Sequence, residues 1–186
     1  MAQQKGKLVV ISGPSGSGKS TICRAVVKRT DAFLSISCTT RQPGNAEVNG
    51  KDYWFIGKDE FEKRIAADGF IEYANVYGNY YGTPRQPVEE AAAAGRLAIL
   101  EIDVQGGLQV KQQYPEAVMV FIMPPTIDEL LARINARGRG EDEASKQRRL
   151  AAAQKEIETA RKTYDHIVVN DVLERAIEDV VNIVQL

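Results

Sequence analysis

Residues 8–21 of this chain read LVVISGPSGSGKST, and their order decides the fold. Leu8-Val9-Val10-Ile11 is a short, continuous, largely β-branched run, the pattern of a strand buried on both faces. Gly13–Ser20 then fits G-x-x-x-x-G-K-[ST] in every fixed position. Lys19–Arg29 follows with Ile22, Ala25 and Val26 at helical spacing. Strand, glycine loop and helix together make a phosphate cradle. Gly13, Gly16 and Gly18 permit turns that a side chain forbids. Loop amides and the helix N-terminus point at the anion. Lys19 reaches the outer phosphates, and the Ser20 hydroxyl is placed for Mg²⁺. Gly13, Pro14, Ser15, Gly16, Ser17, Gly18, Lys19, Ser20 and Thr21 are therefore the expected triphosphate contacts.

Working outward, Leu97–Leu100, Val118–Met123 (VMVFIM) and His166–Asn170 (HIVVN) repeat the short apolar run. Pro124-Pro125 ends the second abruptly. Helical stripes lie between and after them, at Ile127, Leu130, Leu131 and Ile134, then from Leu150 to Tyr164, then from Leu173 to Val184. Strands alternating with helices predict a mostly parallel sheet covered on both faces, a three-layer α/β/α core. Two segments interrupt it. Residues 37–83 are rich in aromatic, glycine and polar residues and predict a small inserted subdomain, with short antiparallel strands around a helix over 58–67. Residues 135–149 (NARGRGEDEASKQRR) are densely charged without apolar period and predict a mobile, arginine-rich lid between two helices. The core is then 1–36, 84–134 and 150–186 of one domain.

Of the 186 residues, 44% are apolar and 26% charged, and the net charge is −1. This suits a folded globular domain and gives no global basic field. Nucleic acid is not expected as a partner, and any anion site must be built locally. No apolar run approaches a membrane span or a signal peptide's core. Cys23 and Cys38 have neither metal nor CxxC spacing and suit a reducing compartment. A cytoplasmic protein is expected. His166 is the only histidine, so no histidine-based acid–base pair can be assembled.

LAILEID (97–103) ends a strand in two acids. Glu101 and Asp103 share a face at the strand's C-terminal end, where open α/β sheets bind ligands. One can hold Mg²⁺ through water, and an acid before VQGG also reads as a helix cap. Asp103–Gly106 spells D-x-x-G, but no N-K-x-D motif accompanies it, which argues against a Ras-like GTPase.

TTR (39–41), EVNGKDY (47–53), FIE (70–72), NYYGT (79–83), EIDVQG (101–106) and GRG (138–140) complete the pattern. Their order and spacing closely resemble guanylate kinase over nearly the whole chain, to IVVND (167–171). The resemblance implies a P-loop NTPase fold with an inserted nucleoside-monophosphate subdomain and an arginine lid. It implies transfer of the γ-phosphate of ATP to GMP with Mg²⁺, with dGMP a candidate second acceptor. It places Arg41, Tyr53 and Tyr81 at the GMP phosphate, Glu72 at the guanine edge, and Ser37 and Thr83 around the base. Glu101 and Asp103 join that GMP set. Arg139 and Arg149 match lid arginines, with Arg148 as a stand-in for Arg149. Asn170 and the Arg133 stem lie by the ATP adenine. Lys19, Arg41, Arg139 and Arg149 form the implied catalytic set.

The chemistry suits these places. Arginine's fork matches phosphate oxygens. A carboxylate accepts both N1–H and N2–H₂ of guanine, a donor pair that adenine lacks. From spacing alone, Tyr53 and Tyr81 read as half-buried strand aromatics, Glu72 as a solvated strand acid and the arginine segment as a salt-bridged helix face. One position departs from the resemblance. A second basic residue is expected three places after Arg41, where this chain has Gly44. The partners expected are ATP and GMP, in a monomer or homodimer. The competing readings are a kinase for another nucleoside monophosphate and a non-catalytic protein-binding module of the same fold.

Overall fold

A computed structural model describes residues 6–76, 78–136 and 143–186, apart from the side chains of 134–136 and 143–146. In chain order the elements begin β1 (Leu8–Ser12), α1 (Lys19–Thr30), β2 (Phe33–Leu34), β3 (Cys38–Thr39), β4 (Trp54–Phe55), α2 (Lys58–Ala66), β5 (Phe70–Val76) and β6 (Asn79–Pro84). They continue α3 (Arg85–Ala93), β7 (Ala98–Glu101), α4 (Val104–Gln113), β8 (Val118–Met123), α5 (Ile127–Ala136), α6 (Glu143–Thr163), β9 (His166–Val169) and α7 (Leu173–Gln185).

The core sheet runs β2-β7-β1-β8-β9, every neighbouring pair parallel. All five residues of β1 are buried. Strand alternation sends Val10, with Leu100, Met119 and Phe121, into a core shared with Val88 of α3, Val110 of α4 and Ile157 of α6. Val9 and Ile11, with Ile99, Val120 and Ile122, face Ile22 and Val26 of α1 and Ile177 and Val180 of α7. Continuous apolar strands follow from having helices on both faces.

Several local expectations change. The sheet gains β2, too short to announce itself as an apolar run. The inserted sheet runs β4-β3-β6-β5 and is mixed, because β3 and β4 pair parallel. The fourteen residues between them are long enough for that return. The helices α3 and α4 have no clean apolar stripe in sequence, and α4 opens through Gly106-Gly107. The Asp103 side chain caps it by accepting from Gly106 N at 2.8 Å. The helix α6 begins at Glu143, well before its apolar stripe, since Glu, Ala, Lys, Gln and Arg are good helix formers. Helix thus enters both ends of the 135–149 lid, and only 137–142 lie outside the described residues.

Candidate active site

The cradle forms where β1 ends and α1 begins. Gly18 has φ +93°, and a Cβ there would collide with the Asn170 amide. Asn170, just past β9, donates from Nδ2 to Ser17 O at 2.7 Å and so ties the loop to the far edge of the sheet. The Lys19 ammonium donates to Gly13 O at 2.7 Å, folded back over the loop. Ser17 Oγ is buried with no hydrogen-bond partner among the described residues. Such an orphan is costly until a ligand or water satisfies it.

Ser20 Oγ donates to Glu101 Oε1 at 2.5 Å. Glu101, expected with the acceptor residues, therefore sits at the loop hydroxyl, and its charge also helps to hold up the Tyr53 phenol. Asp103 Oδ1 is the α4 cap, as the helix-capping alternative anticipates.

Across the cleft, β3, β5 and β6 bring together residues far apart in sequence. Glu72 is only 5% exposed, which overturns its reading as a solvated strand acid. Thr83 Oγ1 donates to Glu72 Oε1 at 2.7 Å and lies 3.4 Å from Ser37 Oγ. Burial pushes the Glu72 carboxyl up to about 7, against the Thr83 hydrogen bond and with help from the Asp103 charge. Gly106 makes room for it, since a Cβ there would come within 2.5 Å of Glu72 Oε2. Two buried polar groups, Glu72 and Thr83, and the half-buried Ser37 thus line one wall.

The second wall is aromatic and cationic. Arg41 Nε donates to the Tyr81 hydroxyl at 3.2 Å. Its guanidinium carbon lies 5.6 Å from the Tyr53 ring centroid and 5.7 Å from that of Phe55. The Tyr53 and Tyr81 rings meet edge to face at 5.9 Å. Burial, ahead of the Glu101 charge, pushes Tyr53 up to about 12, so it stays a neutral donor. Gly44 is exposed, and so is Lys51, the next cation in sequence.

From above, α6 covers the cradle. Arg149 donates to Ser15 Oγ at 2.8 Å, and at the other end Tyr164 OH donates to Ser12 Oγ at 2.7 Å. Arg149 thus reaches the loop. Arg139 lies outside the described residues. Arg133 donates to Glu129 and, at 3.4 Å, to Asn170 O.

Two residues in this region escaped the sequence reading. Glu156 lies on α6 seven residues after Arg149 and three after Ala153, and so shares their side of the helix. Burial raises its carboxyl, while Lys19 draws it down. Its spacing, seven residues from Arg149, was the available signal. The other is Glu47, which holds Arg41 through both carboxylate oxygens at 2.8 Å each.

The candidate site thus has two parts, the glycine-loop cradle at β1–α1 and the polar, cationic set of Glu72, Thr83, Ser37, Arg41, Tyr53 and Tyr81. Comparison with known proteins shows the family. The guanylate kinase family model matches residues 5–186. A guanylate kinase of Clostridium acetobutylicum is 50% identical over 181 residues, covering 97% of this chain and 86% of that protein. One of Carboxydothermus hydrogenoformans is 51% identical over 176 residues, 94% of this chain and 85% of that protein. The crystal structure of guanylate kinase from Anaplasma phagocytophilum superposes with a TM-score of 0.82 at 31% identity, covering 100% of this chain and 87% of that chain.

Proposed function

Because this chain belongs to the guanylate kinase family, we propose that it moves the γ-phosphate of ATP directly onto GMP. The observation that carries this reading is the Glu72–Thr83–Ser37 wall, with Glu72 and Thr83 buried, in the same inserted region as Arg41, Tyr53 and Tyr81. Glu72 accepts the two guanine donors. Arg41 and the tyrosine hydroxyls hold the acceptor phosphate. An acceptor phosphate oxygen attacks the γ-phosphorus as the bond to ADP breaks. That oxygen is already ionised near neutral pH, so no strong base is needed.

Lys19 leaves the Gly13 carbonyl to meet the transferring phosphoryl oxygens. Arg149, with Arg139 of the lid, adds positive charge and excludes water, which otherwise competes as acceptor. Ser20 and Glu101 are hard oxygen donors side by side, and Ser20 is exposed, which suits a Mg²⁺ that keeps several waters. Bound with ATP, Mg²⁺ neutralises phosphate charge. Among the described residues no helix is long and apolar enough to cross a membrane, and both thiols are free and buried. A cytoplasmic setting fits them.

The direct test is ADP formation from ATP·Mg²⁺ with GMP, AMP, CMP and UMP in parallel. Turnover confined to GMP is expected. No turnover from folded protein that still binds ATP would favour the binding-module alternative.

Glu72 brings a pH dependence with it. Its folded value is raised, so the free protein gains stability from the neutral carboxyl at low pH. That gain is present below the ordinary value of 4.5 and is lost as pH rises through about 7. It amounts to about 3 kcal/mol. Guanine needs the ionised form, so GMP binding near neutral pH should be accompanied by proton release from Glu72. Calorimetry in buffers of different ionisation enthalpy reads this directly. Release undiminished in Glu72→Gln would show that the proton does not come from Glu72.

Gly44 brings a second expectation. Gly44→Arg restores a cation beside the acceptor phosphate and should lower the GMP KM about tenfold, the worth of one charge-assisted contact. The Gly44 backbone has no positive φ, and a Cβ there meets only the end of the Glu47 side chain, at 3.1 Å. An unchanged KM would mean that the site is already saturated with donors.

A further inference from the structure

The guanidinium of Arg41 is not waiting open for a phosphate. One Nη donates to Glu47 Oε2 at 2.8 Å and to Gln42 O at 2.8 Å, the other to Glu47 Oε1 at 2.8 Å, and Nε to Tyr81. Nearly all its donors are committed, and the fork is filled by a carboxylate in bidentate geometry. Glu47 is itself held in place. Its backbone N–H donates to Gly44 O at 3.1 Å, closing a turn, and its Oε2 accepts from Gly44 N at 2.6 Å. The residue that stands where a second cation is expected thus supplies an amide that steadies Glu47 on Arg41.

We propose that Glu47 sets the acceptor's charge requirement by acting as an internal stand-in for the acceptor phosphate, which must displace its carboxylate from Arg41. The proposal rests on the kinase reading above and adds a specificity-determining residue to it. The physical reasons are charge and geometry. A carboxylate carries one negative charge on two oxygens. A phosphate monoester carries close to two charges on three oxygens. Both take the same face of the guanidinium. If Glu47 stayed, the phosphate would meet a neutralised arginine and a like charge at contact distance. The pair is about one-third exposed, 32% for Arg41 and 29% for Glu47, so water weakens it and exchange is affordable. A nucleoside has nothing to exchange for Glu47, and a weak anion too little. Only a dianionic phosphate turns the carboxylate away.

The experiment is steady-state kinetics of Glu47→Gln beside the wild-type enzyme, varying GMP, with guanosine as a competitive inhibitor. Gln keeps the shape and removes the competing charge. The GMP KM should fall roughly three- to tenfold, the difference between a charged and a neutral partner for Arg41. The inhibition constant of guanosine, which carries the base without the phosphate, should not follow it. A merely structural Glu47 predicts the opposite sign, because Arg41 without its anchor would bind GMP more weakly. A raised or unchanged GMP KM in the variant, with wild-type turnover normal, overturns the proposal and leaves the kinase reading intact. Absence of wild-type turnover with GMP overturns both. Should thermal melting show Glu47→Gln to be unfolded, Glu47→Asp carries the test. Its carboxylate has the same bite but sits one methylene nearer the backbone, so it reaches the Arg41 fork less well and competes less with the phosphate; the GMP KM should again fall, and a rise there also overturns the proposal.

Discussion

Replacing Lys19 with alanine should lower kcat about a thousandfold or more while GMP binding survives. The magnitude follows from the reaction. Phosphoryl transfer leaves little covalent work to the protein, so most of the rate comes from positioning and from cations on oxygens where charge builds. Lys19 is the P-loop cation. Among the described residues its ammonium donates to the Gly13 carbonyl, at 2.7 Å. Its loss therefore breaks no core contact, and the fold should hold. The proposed acceptor wall lies on and beside β3, β5 and β6 and, among the described residues, shares no hydrogen bond with Lys19. Single-turnover ADP formation and calorimetric titration with GMP separate the two effects. Activity within tenfold of wild type would exclude Lys19 from the transfer step.

The second large effect belongs to Glu72. In Glu72→Gln the GMP kcat/KM should fall about a hundredfold, because a neutral amide presents one oxygen and a clashing donor to two guanine donors. The AMP rate, low in both proteins, should not fall with it. Collapse of the fold is not the expected explanation of any loss. Ionising Glu72 in the free protein works against burial, so the neutral isostere should hold or raise Tm at pH 8. Parallel assays with GMP and AMP, and a melting curve at that pH, provide the check. Equal losses with both acceptors would mean that Glu72 supports the cleft rather than reading the base.

The donor half of the site is written in neighbouring residues. A buried strand, a glycine loop and a helix place their amides by local backbone geometry, so LVVISGPSGSGKST sufficed for the cradle and, with three similar runs, for a parallel core. The acceptor half is different. Ser37, Arg41, Tyr53, Glu72, Tyr81 and Thr83 have no local period that marks them, and only the resemblance to a family assembled them in advance. Taken singly, Glu72 looked like a surface acid, because burial depends on Gly106 and Thr83, which reach it from other elements.

What the sequence by itself determined is therefore the α/β layering, the triphosphate loop and, through its family likeness, the chemistry. Tertiary structure decided which charges are already spent. It put Glu101 on Ser20, turned Asp103 into the cap of α4, buried Glu72, and laid Glu47 across Arg41. Hydrogen bonds within a loop are set by the chain's own spacing. The partner and ionisation of a side chain are set by whatever the fold brings within a few ångströms of it, and those neighbours come from distant parts of the sequence.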